Sequence, residues 1–87
     1  MEDNIFISLR SARINSGLTQ SEVVNILEKE NGIRLTRQKL ADFEVDSTEV
    51  PINLAKSLSK IYAIPEDNIF FGKESTLSYT FRNKQLS

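Results

Sequence analysis

The sequence predicts an all-α fold, five short helices packed round one core and followed by a short C-terminal strand or tail. Three observations predict it. Apolar residues recur at three- and four-residue spacing from Ile5 to Tyr62. Each run is bounded by a capping residue or by a Gly or Pro stop. Strict two-residue alternation arises once, between Ser75 and Arg82. With 87 residues, 39% hydrophobic and 26% charged, the chain has apolar material for one small core and too little length for two.

The elements follow in order. Ile5, Leu9, Ala12 and Ser16 repeat at helical spacing with Phe6 alongside, and Gly17 follows as a left-handed cap, which predicts a first helix over 4–16. Thr19-Gln20-Ser21-Glu22 fits a capping box, in which the threonine hydroxyl accepts from the Glu22 amide and the glutamate reaches back to the threonine amide. A second helix therefore runs over 19–30, with Val23, Val24, Ile26 and Leu27 as its apolar face and Asn31-Gly32 as its stop. Thr36 caps a third, short helix whose inward residues are Leu40 and Phe43. At about 100° per residue the opposite face carries Gln38, Asp42 and Val45, with Arg37 and Ala41 on its flank.

Pro51 suits the first turn of a fourth helix over 51–62, with Leu54, Ala55, Leu58, Ile61 and Tyr62 as its stripe. Pro65-Glu66-Asp67-Asn68 starts a fifth helix of one turn that drives Ile69 and Phe70 into the core and stops at Gly72. From Ser75 to Arg82, Leu77, Tyr79 and Phe81 share one side of a strand and Thr76, Ser78, Thr80 and Arg82 the other.

The absence of cysteine and histidine excludes a disulfide framework and a thiolate or imidazole metal site. It also removes the commonest nucleophile and the commonest general base, and no carboxylate pair, phosphate loop or metal spacing stands out. The expectation is a non-enzyme with no cofactor, no metal and no small-molecule substrate. No apolar run approaches the roughly 20 residues that cross a bilayer, so no membrane partner and a cytoplasmic location are expected. Net charge is −1, against the basic footprint usual for nucleic-acid binding. Its distribution is uneven. Between Ile5 and Ala41, Arg10, Arg13, Lys29, Arg34, Arg37 and Lys39 face only Glu22, Glu28 and Glu30, a net of +3.

Three joints carry a resemblance. Leu18-Thr19-Gln20-Ser21-Glu22-Val23-Val24, then Thr36-Arg37-Gln38-Lys39-Leu40-Ala41-Asp42-Phe43-Glu44, then Ile64-Pro65-Glu66-Asp67-Asn68-Ile69-Phe70 resemble, in order and near spacing, the lambda-repressor-like helix-turn-helix family of phage repressors, Cro proteins and small bacterial regulators. The resemblance covers Ile5 to Gly72. It implies a helix-turn-helix DNA-binding domain over 1–72, with 73–87 as a strand or tail. It further implies a transcriptional regulator whose third helix enters the major groove of a double-stranded operator.

The residue types on the outward face are compatible with that role. Gln38 can pair bidentately with adenine and Arg37 with guanine or a phosphate, while Ala41 flanks them. Asp42 can accept from a cytosine amino group or equally repel the backbone. Gln20 matches the family's glutamine at the start of the second helix, where it meets a phosphate; otherwise it is a plain exposed residue. Thr19, Arg34, Thr36 and Lys39 complete the phosphate-binding candidates. Arg13 and Glu44 match a structural salt bridge of several family members.

Two features depart from the pattern. Glu28 to Ile33 adds roughly six residues between the second and third helices, which predicts a longer helix or a wider turn. After the third helix, Glu44, Asp46 and Glu49 stand with no Lys or Arg until Lys56, a poor backbone clamp. A homodimer through Leu77, Tyr79 and Phe81 compensates if two tails pair, placing recognition helices about 34 Å apart on a palindromic operator. Alternatively the tail folds back or is disordered. The competing function is a protein-interaction module on the same fold, an antirepressor, an accessory subunit or an antitoxin, using the acidic stretch from Asp42 to Glu49.

Overall fold

The computed structural model describes residues 6–73. Four α-helices make up most of it: α1 (Leu9–Asn15), α2 (Gln20–Asn31), α3 (Arg37–Val45) and α4 (Ile52–Tyr62). Two strands of two residues each, β1 (Ile7–Ser8) and β2 (Ile69–Phe70), pair in parallel with Ile7 opposite Ile69 and Ser8 opposite Phe70. The fold is thus mostly helical with a small sheet, and four α-helices replace the expected five. The one-turn helix expected after Pro65 is a 3-10 turn over Glu66–Asn68 that runs straight into β2. Ile69 is buried as expected, whereas Phe70 is half-buried and Phe71 packs against the core.

Helix boundaries follow the caps. α1 starts at Leu9 instead of residue 4, because the Ser8 hydroxyl accepts from the Ser11 amide at 3.0 Å and the segment before it is spent on β1. Phe6 is consequently exposed, not part of a helical stripe. Ile5 lies outside the described residues. α2 begins with the full capping box: Glu22 N donates to Thr19 Oγ1 at 3.1 Å and Thr19 N to Glu22 Oε1 at 2.8 Å. It ends at Gly32, whose φ of 66° is left-handed backbone that glycine adopts without strain. α3 is capped by Thr36 Oγ1, which accepts from Lys39 N at 3.0 Å. Pro51 stands just before α4 as its N-cap, one position earlier than expected.

The core is built from Leu9 and Ala12 of α1, Val23 and Leu27 of α2, Leu40 and Phe43 of α3, Leu54, Leu58 and Tyr62 of α4, and Ile69 of β2. Every helix thus presents one stripe to a shared centre, the arrangement that lets a chain of this length bury apolar surface. The extra residues between α2 and α3 lengthen α2 to Asn31 and leave a connection over 32–36. Ile33 and Leu35 of that connection pack against the core, which anchors it.

A buried serine fastens the loop after α3. Ser47 N donates to the Gly72 carbonyl at 2.9 Å, and Gly72 N donates back to Ser47 Oγ at 3.0 Å. A Cβ on Gly72 would sit 2.9 Å from the Phe70 ring, so the close approach suits glycine. In the same loop Asp46 accepts from the Thr48 hydroxyl at 2.6 Å and the Thr48 amide at 3.0 Å, and these bonds hold its carboxyl below the usual carboxylate range. Among the described residues, no helix is long and apolar enough to cross a membrane.

Candidate nucleic-acid interface

α3 is held by its inner face. Leu40 is fully buried and Phe43 nearly so, and Glu44 beside them is only 6% exposed. A carboxylate at that depth needs partners. Arg13 Nε donates to Glu44 Oε2 at 2.6 Å and Arg13 Nη2 to Oε1 at 3.3 Å, while Gln20 Nε2 donates to Oε1 at 3.0 Å. Arg13 Nη1 also donates to the Leu18 carbonyl at 2.9 Å. One side chain of α3 is thereby tied to α1, to the first residue of α2 and, through Arg13, to the turn between those helices. The fork of hydrogen bonds with Glu44 raises the already high pKa of Arg13.

Tyr62 lies against this network from α4. Burial, and next the negative charge of Glu44, push its phenol far above the ordinary value, with Arg13 partly opposing. Its buried hydroxyl has no hydrogen-bond partner among the described residues.

The outer face of α3 has the opposite character. Arg37, Gln38 and Asp42 are exposed, Ala41 is half-buried, and Val45 at the helix end is 69% exposed. Gln38 Nε2 donates to Asp42 Oδ1 at 3.1 Å, one turn along the helix. Beside this face runs a groove of about 530 Å³, lined among others by Arg10, Arg13, Gln20, Arg37, Ala41 and Val45. It joins α1, the start of α2 and α3, and so brings together residues far apart in sequence.

The expected phosphate-binding residues fare differently. Gln20 lines the groove, but its amide is engaged with Glu44. Thr19 and Thr36 are exposed and spend their hydroxyls on helix caps. Arg34 stands away from the groove on the 32–36 connection, its guanidinium 3.7 Å from Glu28 in an exposed pair worth little. The Lys39 ammonium lies 5.0 Å from the centre of the Phe43 ring, its charge still exposed. Arg13 and Glu44 form the expected salt bridge. Leu77, Tyr79 and Phe81 lie outside the described residues.

Three residues lining this groove, Arg10, Ser21 and Val45, were not singled out for a role by the sequence. Arg10 lines the groove one helical turn before Arg13, a spacing of three that places both on one side of α1. Val45 was placed outward but given no task. The signal for Arg10 was the paired arginines; for Val45 it was an apolar residue seven positions after Gln38, on the same face. Among the described residues no group of three or more carboxylates is placed to hold a metal ion. Comparison with protein-family models and with curated proteins finds no match.

Proposed function

We propose that this chain is a sequence-specific DNA-binding transcriptional regulator of the lambda-repressor-like type, with α3 as the element that enters the major groove. The observation that carries the reading is the outward presentation of Arg37 and Gln38 in the first turn of α3, above a helix anchored by Leu40, Phe43 and Glu44. A guanidinium and a carboxamide are the two side-chain groups that pair bidentately with guanine and adenine. Ala41, Asp42 and Val45 continue the same face, and an apolar Val45 suits a thymine methyl.

Phosphate contacts come from the groove and its rim. Arg10 and the start of α2, with Thr19 and Gln20, form the near wall; Thr36 and Lys39 at the start of α3, and Arg34 just before it, are the further phosphate contacts. Arg10 and Arg37 line the groove, where the charge of Arg13 is balanced by Glu44, and they favour this side for a polyanion despite the net charge of −1. Binding is as a homodimer on a palindromic operator, the symmetry that repeats one recognition helix on successive major-groove faces. The chain acts by occupancy, without cofactor or catalysis.

The test is selection of duplexes from a random pool followed by fluorescence anisotropy in rising salt. Enrichment of a palindrome, with affinity falling as salt rises and lost in the double variant Arg37→Ala and Gln38→Ala, supports the reading. Binding indifferent to sequence, or unaffected by the two substitutions, overturns it. A second reading, a protein-interaction module, draws on Val45 and Ile52, which are 69% and 75% exposed at the two ends of the acidic 46–51 loop. Recovery of a stoichiometric protein partner together with absent DNA binding favours that reading instead.

A further inference from the structure

We infer that Asp42 is a positioning residue for Gln38, which makes the pair select adenine over guanine instead of letting Asp42 read a base itself. The inference rests on the DNA-reading function proposed above and assigns the base class that α3 takes at this position.

A carboxamide on an open helix face can turn either its oxygen or its nitrogen toward a neighbour. Asp42 removes that freedom. Its carboxylate only accepts, so the Gln38 nitrogen must face it, as the 3.1 Å Nε2 to Oδ1 hydrogen bond records. The nitrogen has two protons, and Asp42 takes one. What Gln38 keeps for a ligand is one N–H donor and the Oε1 acceptor, side by side.

The major-groove edge of adenine offers the complement, an N7 acceptor beside an N6 amino donor. Guanine offers two acceptors there, N7 and O6. Meeting both takes the two amide protons, and one is already committed. Pairing with guanine therefore breaks the Asp42 hydrogen bond or leaves Oε1 against O6, acceptor against acceptor. The same arrangement accounts for a negative charge on a surface offered to phosphates. The carboxylate weakens overall attraction while sharpening the choice of base.

The test uses the full chain and a duplex it selects from a random pool. Each A·T pair of that duplex is replaced in turn by G·C, and binding is followed by fluorescence anisotropy. In the wild type, one replacement is expected to cost about tenfold, the discrimination of a bidentate pair, and Gln38→Ala is expected to abolish that cost. Asp42→Ala and Asp42→Asn both remove the charge, so both are expected to bind more tightly overall. They differ in one respect. Asparagine still offers an Oδ1 acceptor to the Gln38 nitrogen, although it can donate as well, and is expected to keep a preference between the wild type and alanine, whereas alanine reduces it to about threefold or less.

Equal preference in the alanine and asparagine variants overturns the inference while leaving DNA recognition intact. Loss of preference in both is the behaviour expected if the charge of Asp42, and not its hydrogen bond to Gln38, sets the choice of base, and it overturns the inference too. Enrichment of no duplex overturns the DNA-reading function itself, and this inference with it. Both residues are exposed, so circular dichroism is expected to be unchanged in every variant.

Discussion

Glu44 and Asp42 are carboxylates two residues apart on one short helix, and they live in different media. Glu44 is buried, accepts from a guanidinium and an amide, and joins α1 and α2 to α3. Asp42 is exposed and accepts from Gln38 on its own helix. The same contrast separates the whole inner face, Leu40, Phe43 and Glu44, from the outer face, Arg37, Gln38, Asp42 and Val45. On the inner face a side chain is constrained by volume and by the cost of an unpaired polar atom. On the outer face water satisfies every group, so the fold places no demand on which residues stand there. The inner face decides where the helix lies, and the outer face is left to the ligand.

Substitutions on the two faces should therefore separate cleanly in a urea melt. Leu40→Ala opens a cavity at a position with no solvent access and is expected to cost the most, about 3–5 kcal/mol. Glu44→Ala comes next. It leaves the Arg13 guanidinium, 12% exposed, with only the Leu18 carbonyl as partner among those described, and is expected to cost about 2–4 kcal/mol, with partial recovery in Glu44→Gln. A loss below about 1 kcal/mol for Glu44→Ala would erase the distinction between the two carboxylates.

Tyr62→Phe sharpens the comparison, because it removes a buried polar atom that lacks a partner. It is expected to be neutral or to stabilise by up to about 1 kcal/mol at pH 7. The pH dependence follows from the sign of the shift. The folded pKa of Tyr62 lies above the ordinary phenol value, so its contribution is fully present below about pH 10 and is lost as pH rises further. Alkaline melts should therefore show a steeper fall in stability for the wild type than for Tyr62→Phe. Parallel curves would contradict the placement of this ring.

The smallest stability effects belong to the outer face. Arg37→Ala and Gln38→Ala are each expected to move the midpoint by no more than about 0.5 kcal/mol. The same variants are expected to lose tenfold or more in affinity for a selected duplex. A stability loss comparable with that of Leu40→Ala would mean that these side chains support the fold, and the contrast between faces would fail.

Local signals made much of this legible. Thr19 and Glu22 specify their capping box within four residues, Thr36 its cap within the same distance, and Leu40 and Phe43 their inward face by spacing alone. Those are short-range requirements of backbone hydrogen bonding and helical geometry, and they hold before any tertiary contact forms. The first helix was misplaced because Ile7 and Ser8 pair with Ile69 and Phe70, a partner no window of the sequence contains. The expected fifth helix gave way to a 3-10 turn for the same reason, since β2 claims the residues that follow Asn68.

The site divides along that line too. Which side chains of α3 point outward was readable from a period of about 3.6 residues. That the Gln20 amide turns to Glu44, that Arg10 joins the groove, and that Ser47 is sealed against Gly72 were not, because each depends on helices meeting at particular angles. By itself the sequence determined the caps of α2 and α3 and the inward face of α3, since these follow from hydrogen bonds and periodicity within a few residues. Only the packed tertiary structure decided which polar groups satisfy one another across helices, because an unpaired buried atom is costly and the nearest partner in space is seldom the nearest in sequence.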